Sequence, residues 1–379
     1  MRVVLVSQYP KERDRPKGGV AAVTVVLARA MARHGGMEVH VVTVDREQPS
    51  LAIDKDEGVT VHHLPGSRWP QIADIHWGPG RKRLVQYLLE LKPDLVHTHE
   101  TYGLALGGRL PFPHVFTVHG FDHANVVAEA SEMAWLRSRL WRLAEHHGLG
   151  RHQHIIAISP YVRHMVEPQT RARIYDIDNP VDERFFNIPR QEGTGRILSV
   201  GWINERKNTL GLVQAFARAV RSGMAATLAI AGEPTRSAYS QTVVDCVERE
   251  GLRGRVHFLG RISHEQLRDE LGRASLFVLA SRQENAPMAI AEAMAASVPV
   301  VSSNCCGMPY MVDDGVSGYL VDPEDTAALS DRMTRILTDD SLQAKMGEQA
   351  RRTALNRFHP DVVARKTMDV YQALIRAGG

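Results

Sequence analysis

The chain has 379 residues, more than the roughly 250–300 at which a single hydrophobic core stops growing, so two domains are expected. With 44% hydrophobic and 23% charged residues it has the composition of an ordinary globular protein, which excludes a disordered or low-complexity chain. The net charge of +3 is evenly spread, with 23 Lys/Arg against 21 Asp/Glu in residues 1–185, and this excludes the clustered basic footprint of a nucleic-acid binder.

The opening MRVVLVSQYP has one positive charge and a short apolar run, too short for a signal-peptide core, and reads as a first strand. No stretch of about 20 apolar residues follows anywhere. Three cysteines, two of them adjacent (Cys305 and Cys306), suit a reducing compartment. The expectation is a cytoplasmic protein, with at most a peripheral contact at the inner face of a membrane.

In chain order, VVLVS (3–7) is a buried-strand run, a loop ending in Gly18-Gly19 follows, and VAAVTVVLARAMARHG has helical spacing of its apolar residues. Further strands are expected at 38–44, 59–64, 94–97, 114–118, 154–158 and 173–177, with helical stretches such as 81–91 and 131–147 between them. Residues 179–195 hold prolines and glycines without periodicity, as a linker does. The alternation then restarts, with strands at 196–200, 226–231, 255–259, 275–279, 299–303 and 318–321. Helices are expected at 208–221, 238–250, 264–272 and 286–296, and a last one at 361–376.

Such alternation predicts an α/β fold with parallel sheets covered by helices on both faces. The expected organisation is a Rossmann-like domain over 1–185, a linker over 186–195, a second Rossmann-like domain over 196–358, and a terminal helix over 359–379 that crosses back to the first. Ligands bind beyond the carboxyl ends of strands in such sheets, so chemistry is sought in those loops.

The richest string is SRQENAPMAIAEAMAASVPVV (281–301). Glu284 and Glu292 have seven residues between them. Asn285 is expected as the N-cap of the following helix, with Pro287 in its first turn. Glu284 would then stand just before unpaired amide donors, and a carboxylate beside such donors can grip a polyhydroxyl ring. In SVGWINERKNTLGLVQAF (199–216), Arg206 and Lys207 form a basic pair before a helix, suited to neutralising a diphosphate. Gly18-Gly19 would let a phosphate or sugar approach a helix N-terminus, although an isolated Gly-Gly is more often a tight turn. TVHGFDH (117–123) puts His119 just beyond a strand end. No G-x-G-x-x-G lies at a strand-to-helix junction, which argues against a dinucleotide enzyme.

The 281–301 string closely resembles the E-x7-E signature of glycosyltransferase family 4, in its form ENxPxxxxEAMAxxxPVV. The resemblance runs from Gly19 to about Pro323 and is tight in 281–303. It implies the GT-B fold of two facing Rossmann-like domains, the first for the acceptor and the second for a UDP- or GDP-linked sugar donor. It implies a retaining transfer to an acceptor hydroxyl on a sugar, lipid-linked glycan or small molecule, with no cofactor and no obligatory metal.

By the same resemblance Glu284 and His119 contact the donor sugar, Glu292 the donor ribose, Arg206 and Lys207 the diphosphate, and Arg261 the nucleobase. Asn285 and Met288 lie on the donor side, and Gly18 and Gly19 reach the donor from the acceptor domain. IIAISPYV (155–162) and DNPVDERFF (178–186) match further landmarks. The chain departs from the pattern at Trp202, where Arg is common, at Ser297, where Gly is common, at Cys305-Cys306 before Gly307, and at Tyr310, where Glu is frequent.

Two other readings stay open, a nucleotide-sugar epimerase of the same architecture and a non-catalytic nucleotide-sugar-binding subunit. HTH (97–99), HQH (152–154) and the pairs at 62–63 and 146–147 lack a coherent set of metal-ligand spacings, and DID (176–178) stands at a strand end before the linker. In 131–152, Trp135 and Trp141 with Arg137, Arg139 and Arg142 would suit an anionic membrane surface, though a core helix with a solvated basic face is the more common outcome.

Overall fold

The computed structural model describes residues 1–13, 18–68, 71–108, 110–128, 133–191, 193–234 and 238–378. The chain divides into two compact units. One comprises Met1–Phe121, Arg139–Pro180 and Pro360–Gly379, and the other Asp122–Ser138 and Val181–His359.

The first unit is built on eight strands: β1 (Arg2–Val6), β2 (Glu38–Asp45), β3 (Ala52–Asp56), β4 (Val59–Pro65), β5 (Leu95–His99), β6 (His114–Val118), β7 (His154–Ala157) and β8 (Arg173–Asp176). Their order is β3-β4-β2-β1-β5-β6-β7-β8, and every pairing is parallel except β3 with β4. The β3 strand, AIDKD, is absent from the sequence reading. It is a largely exposed edge strand whose charges hide the alternation of a core strand. Asp56 at its end is held by the Tyr9 hydroxyl at 2.5 Å and by Arg29 at 2.7 Å, which fixes the edge to the sheet.

Successive side chains in a strand point to opposite faces, and both faces here are covered. Val3, Leu5, Val39, Val41 and Leu95 pack under the helices Gly19–His34 and Pro360–Gly378, whereas Val4, Val6, Val42 and Val96 pack under Pro79–Leu91 and Glu100–Leu106. The terminal helix buries Tyr371 completely, and the Tyr371 hydroxyl lies 2.6 Å from Nδ1 of His97 in β5. The expected helix over 131–147 begins in residues outside the described ones and runs over Ala134–Leu149.

The second unit carries β9 (Arg196–Val200), β10 (Thr227–Ala231), β11 (Val256–Gly260), β12 (Leu276–Leu279), β13 (Val300–Ser303) and β14 (Gly318–Val321), all parallel in the order β11-β10-β9-β12-β13-β14. Ile197, Leu228, Leu276 and Val278 face the helices Thr209–Arg221 and Thr326–Leu337, while Leu198, Ala229, Phe277 and Leu279 face Met288–Ala295 and Asp340–Arg357. The chain leaves β9 toward β10 on one side and returns to β12 on the other. The mouths of β9 and β12 therefore form the topological switch point of this sheet.

Candidate active site

The loops after β9 and β12 open at that switch point and carry a buried polar cluster. After β9 the chain turns at Gly201, and Asn208 caps the helix Thr209–Arg221. A Cβ at Gly201 would lie 2.9 Å from Cε and 3.1 Å from Cδ of Lys207, so glycine leaves the channel for the lysine stem. The Asn204 side-chain oxygen accepts from the Lys207 backbone N–H at 3.0 Å, and the Arg282 backbone N–H donates to the Arg206 carbonyl at 2.8 Å. The first bond braces the loop after β9 and the second ties it to the loop after β12.

Lys207 Nζ then forms an ion pair with Glu284 Oε1, and Arg206 Nη1 reaches the same oxygen at 3.1 Å while also donating to the Gln283 carbonyl at 3.1 Å. All three side chains are 15% exposed or less. Burial alone would raise the Glu284 pKa, but Lys207 and Arg206 hold it below the usual glutamate value, so the group is a carboxylate. Burial, with help from Arg206, lowers the Lys207 pKa more than Glu284 raises it. The result is two cations gathered around one carboxylate at the mouth of a sheet. Such a set can exchange its internal partner for the phosphates and hydroxyls of a ligand.

The helix after β12 corrects one expectation. Its N-cap is Pro287, whose φ of −67° and ψ of 117° are non-helical, and the helix proper is Met288–Ala295. Asn285 is therefore not the cap. It stands in the loop two residues earlier, with its side-chain oxygen 3.4 Å from the Gln283 amide nitrogen. The reason is the close approach of the next loop. The Gly307 backbone N–H donates to the Glu284 carbonyl at 2.8 Å, and a Cβ on Gly307 would meet the Asn285 carbonyl oxygen at 1.8 Å. That contact ties the backbone at 284–285 to the loop after β13.

Met288 opens the helix and packs partly buried against the core. Glu292 lies on its second turn as expected but is only 7% exposed. Burial, with the Asp182 carboxylate adding to it, pushes its pKa up to about 7. Arg261 stands exposed one residue beyond β11, at the sheet edge, and is not part of the Arg206–Lys207–Glu284 cluster. Of the departures, Trp202 is 51% and Tyr310 40% exposed, and Ser297 occupies φ +59°, the left-handed region in which glycine is preferred.

In the first unit, Gly18 precedes the helix Gly19–His34 at the mouth of β1, with open space where a Cβ would go. His119 follows β6 directly. Its Nε2 lies 2.8 Å from Nδ1 of His99, the last residue of β5, and the two rings stack at 5.1 Å. His97, two residues earlier on the same strand, bonds Tyr371 and, through Nε2, Thr117 at 2.6 Å. Burial pushes the His119 and His97 pKa values down to about 3 and that of His99 well below its ordinary value, so all three are neutral near pH 7.

His119 Nδ1 and His99 Nε2 are buried without a hydrogen-bond partner. Both rings line a small cavity, with room for about one water, that also borders Asp178, Asn179 and Thr367. The sequence reading had not linked His99 to His119. The available signal was the HTH spacing, which puts 97 and 99 on one face of a strand beside the strand that ends before 119.

Among the described residues no group of three or more His, Cys, Asp or Glu is arranged to hold a metal ion, and Asp176 of the DID run is paired with Arg163 at 2.7 Å. No described helix is long and apolar enough to cross a membrane.

Two parallel Rossmann-like sheets in one chain, the second with a basic and acidic cluster at its switch point, define the GT-B class of α/β proteins. A family model for glycosyl transferases group 1 matches residues 181–353, and one for Glycosyltransferase Family 4 matches residues 17–185. The chain belongs to this family of glycosyltransferases.

It is 25% identical over 213 residues to the N-acetyl-alpha-D-glucosaminyl L-malate synthase of Bacillus anthracis, a match spanning 54% of each chain. Among solved structures it is similar to sucrose-phosphate synthase from Thermosynechococcus elongatus, with a TM-score of 0.84 and 22% identity over 99% of both chains. It is also similar to Anabaena HepE in complex with UDP and glucose, with a TM-score of 0.74 and 17% identity over 98% of this chain and 100% of that one.

Proposed function

We propose that the protein is a retaining glycosyltransferase that moves a hexose-type sugar from a nucleoside-diphosphate donor, UDP- or GDP-linked, to an acceptor hydroxyl in glycan, polysaccharide or glycolipid synthesis. The observation that carries this reading is the pairing of Lys207 and Arg206 with Glu284 at the switch point of the second sheet. When a donor enters, the two cations turn to the diphosphate and Glu284 accepts from hydroxyls of the sugar. Charge that develops on the leaving diphosphate is met by Lys207 and Arg206 without metal assistance. The leaving diphosphate helps deprotonate the acceptor on the same face of the sugar, so the anomeric configuration is kept.

Glu292 accepts from the donor ribose, Arg261 borders the base, and Asn285 and Met288 complete the donor side. His119, neutral and with one free ring nitrogen, offers that nitrogen to a sugar hydroxyl, and Gly18-Gly19 leave backbone room for a ligand. The UDP and glucose in the HepE structure support the donor class, and the name of the N-acetyl-alpha-D-glucosaminyl L-malate synthase relative supports keeping a small molecule among the acceptors.

A thermal-shift panel of nucleoside diphosphates and their sugars tests the reading, because a ligand that binds the native state raises its melting temperature. UDP or GDP should stabilise the protein. No shift with any member of the panel would refute the donor assignment.

A peripheral contact with an anionic membrane surface at its cytoplasmic side is proposed as well. It rests on Trp135, Leu140 and Leu143, which are 71%, 59% and 62% exposed in the helix Ala134–Leu149 beside exposed Arg137, Arg139 and Arg142. Cosedimentation with phosphatidylglycerol vesicles but not with phosphatidylcholine vesicles is the expected result.

A further inference from the structure

The loop after β13 carries two thiols that the proposed chemistry does not use. Cys305 and Cys306 are both partly exposed, whereas the third cysteine, Cys246, is buried. The two sulfurs converge on one acceptor, with Cys305 Sγ 3.5 Å and Cys306 Sγ 3.7 Å from the carbonyl oxygen of Arg282. Cys305 also lies 3.8 Å from the Ser281 carbonyl. Cys306 stands at φ +55°, a left-handed conformation that a β-substituted residue adopts only when its surroundings enforce it. One residue on, the Gly307 N–H donates to the Glu284 carbonyl. The dithiol is thus joined to the Glu284 loop by its own hydrogen bonds and by the next residue's backbone.

We propose that Cys305 and Cys306 form an oxidation-sensitive dithiol whose closure to a disulfide by a peroxide pulls the 305–307 backbone away from the Glu284 loop. One thiolate attacks the peroxide, the O–O bond breaks, and a sulfenic acid forms with release of hydroxide. The second thiolate attacks that sulfur, the S–S bond forms as the S–O bond breaks, and a second hydroxide leaves; the two protons lost by the thiols convert both hydroxides to water. Overall, two thiols and one hydrogen peroxide give one disulfide and two waters.

The hydrogen bond with Cys306, together with burial, pushes the Cys305 thiol pKa up, which disfavours Cys305 as the first of the two to react. Adjacent Cα atoms are about 3.8 Å apart, shorter than the roughly 4.4–6.8 Å of ordinary disulfides. Ring closure must therefore be accommodated by the backbone at 305–306, and the resulting bond is strained and readily reduced. Both S–H donors to Arg282 are lost, and Gly307 moves with its neighbour. That Glu284 then releases the donor rests on the function proposed above.

The test is peptide mass mapping and hydrogen exchange on the full chain before and after hydrogen peroxide, with dithiothreitol reversal. The expected result is a 305–306 disulfide with Cys246 still reduced, and Gly307 amide exchange faster by at least about tenfold and restored on reduction. In Cys305→Ser and Cys306→Ser chains, peroxide should leave that exchange rate unchanged. Failure to form the disulfide, or a disulfide with Gly307 exchange unaltered, overturns the proposal. Nucleoside-diphosphate binding measured on the same samples reads the donor half separately. A reduced protein that binds none refutes the donor assignment without touching the dithiol, and equal binding by both forms refutes the link between them.

Discussion

Lys207 and Glu284, 77 positions apart in the chain, meet as an ion pair because the strands that precede their loops, β9 and β12, are neighbours in the sheet. The pair is buried, and Arg206 shares the same carboxylate oxygen. Breaking it leaves charges without their partner in a region from which water is largely excluded, so substitutions here act on ligand binding and on local electrostatics together.

Glu284→Ala removes the carboxylate oxygen that Lys207 and Arg206 share. Transfer should fall by about a hundredfold or more, the scale on which a single group aimed at the reacting charge acts. Far-UV circular dichroism should stay unchanged. A variant with the wild-type rate would reject the role given to Glu284.

Glu292 gives the protein a pH dependence of defined sign. Its folded pKa of about 7 lies above its unfolded value, so its contribution to stability is complete below the unfolded pKa and is lost as pH rises through about 7. Melting temperature should decline over that window, and Glu292→Gln should flatten the decline. Donor affinity should run the other way, rising as pH climbs through 7, if the ribose hydroxyls bond the ionised carboxylate. Titrations with the nucleoside diphosphate at pH 6 and pH 8 check this.

His119 should not titrate in the ordinary histidine range. Burial keeps its imidazole neutral down to about pH 3, so its ring NMR shifts should be flat between pH 5 and 8. His99→Phe removes the ring nitrogen that meets His119 and should reduce transfer by about tenfold, with His99→Gln recovering part of it. A histidine titrating near pH 6.5 at position 119 would show that this packing is wrong.

Gly201→Ala places a methyl against the lysine stem at 2.9 Å. Lys207 must move away from Glu284, and nucleoside-diphosphate affinity should drop by about tenfold, a loss on the scale of one charge-assisted hydrogen bond. Gly307→Ala meets backbone rather than a side chain, so it should lower the melting temperature by several degrees. Calorimetric titration and melting curves separate the two effects.

Much of this was legible in the sequence for physical reasons. The runs RVVLV and RILSV are apolar on both faces because their strands are buried on both faces, and such runs need no tertiary information to be found. The string around Glu284 carries its meaning locally in the carboxylate, the proline and the helix that follows. β3 escaped because an exposed edge strand has no apolar alternation to detect. The cap falls at Pro287, which has a non-helical ψ, and the loop before it is bonded to Gly307, whose proximity no local pattern records. The His99–His119 pair and the Lys207–Glu284 pair have the same origin in sheet order, which decides the contacts that a residue-by-residue reading can only nominate.

Titration calorimetry of UDP and GDP into the wild-type chain and into Lys207→Met at equal pH tests the central claim most directly. Tight binding of one diphosphate by the wild type, weakened by about tenfold or more in the variant while its melting temperature without ligand stays within a few degrees, is the predicted result. Equal affinity in both proteins, or no binding of either diphosphate to the wild type, would contradict it.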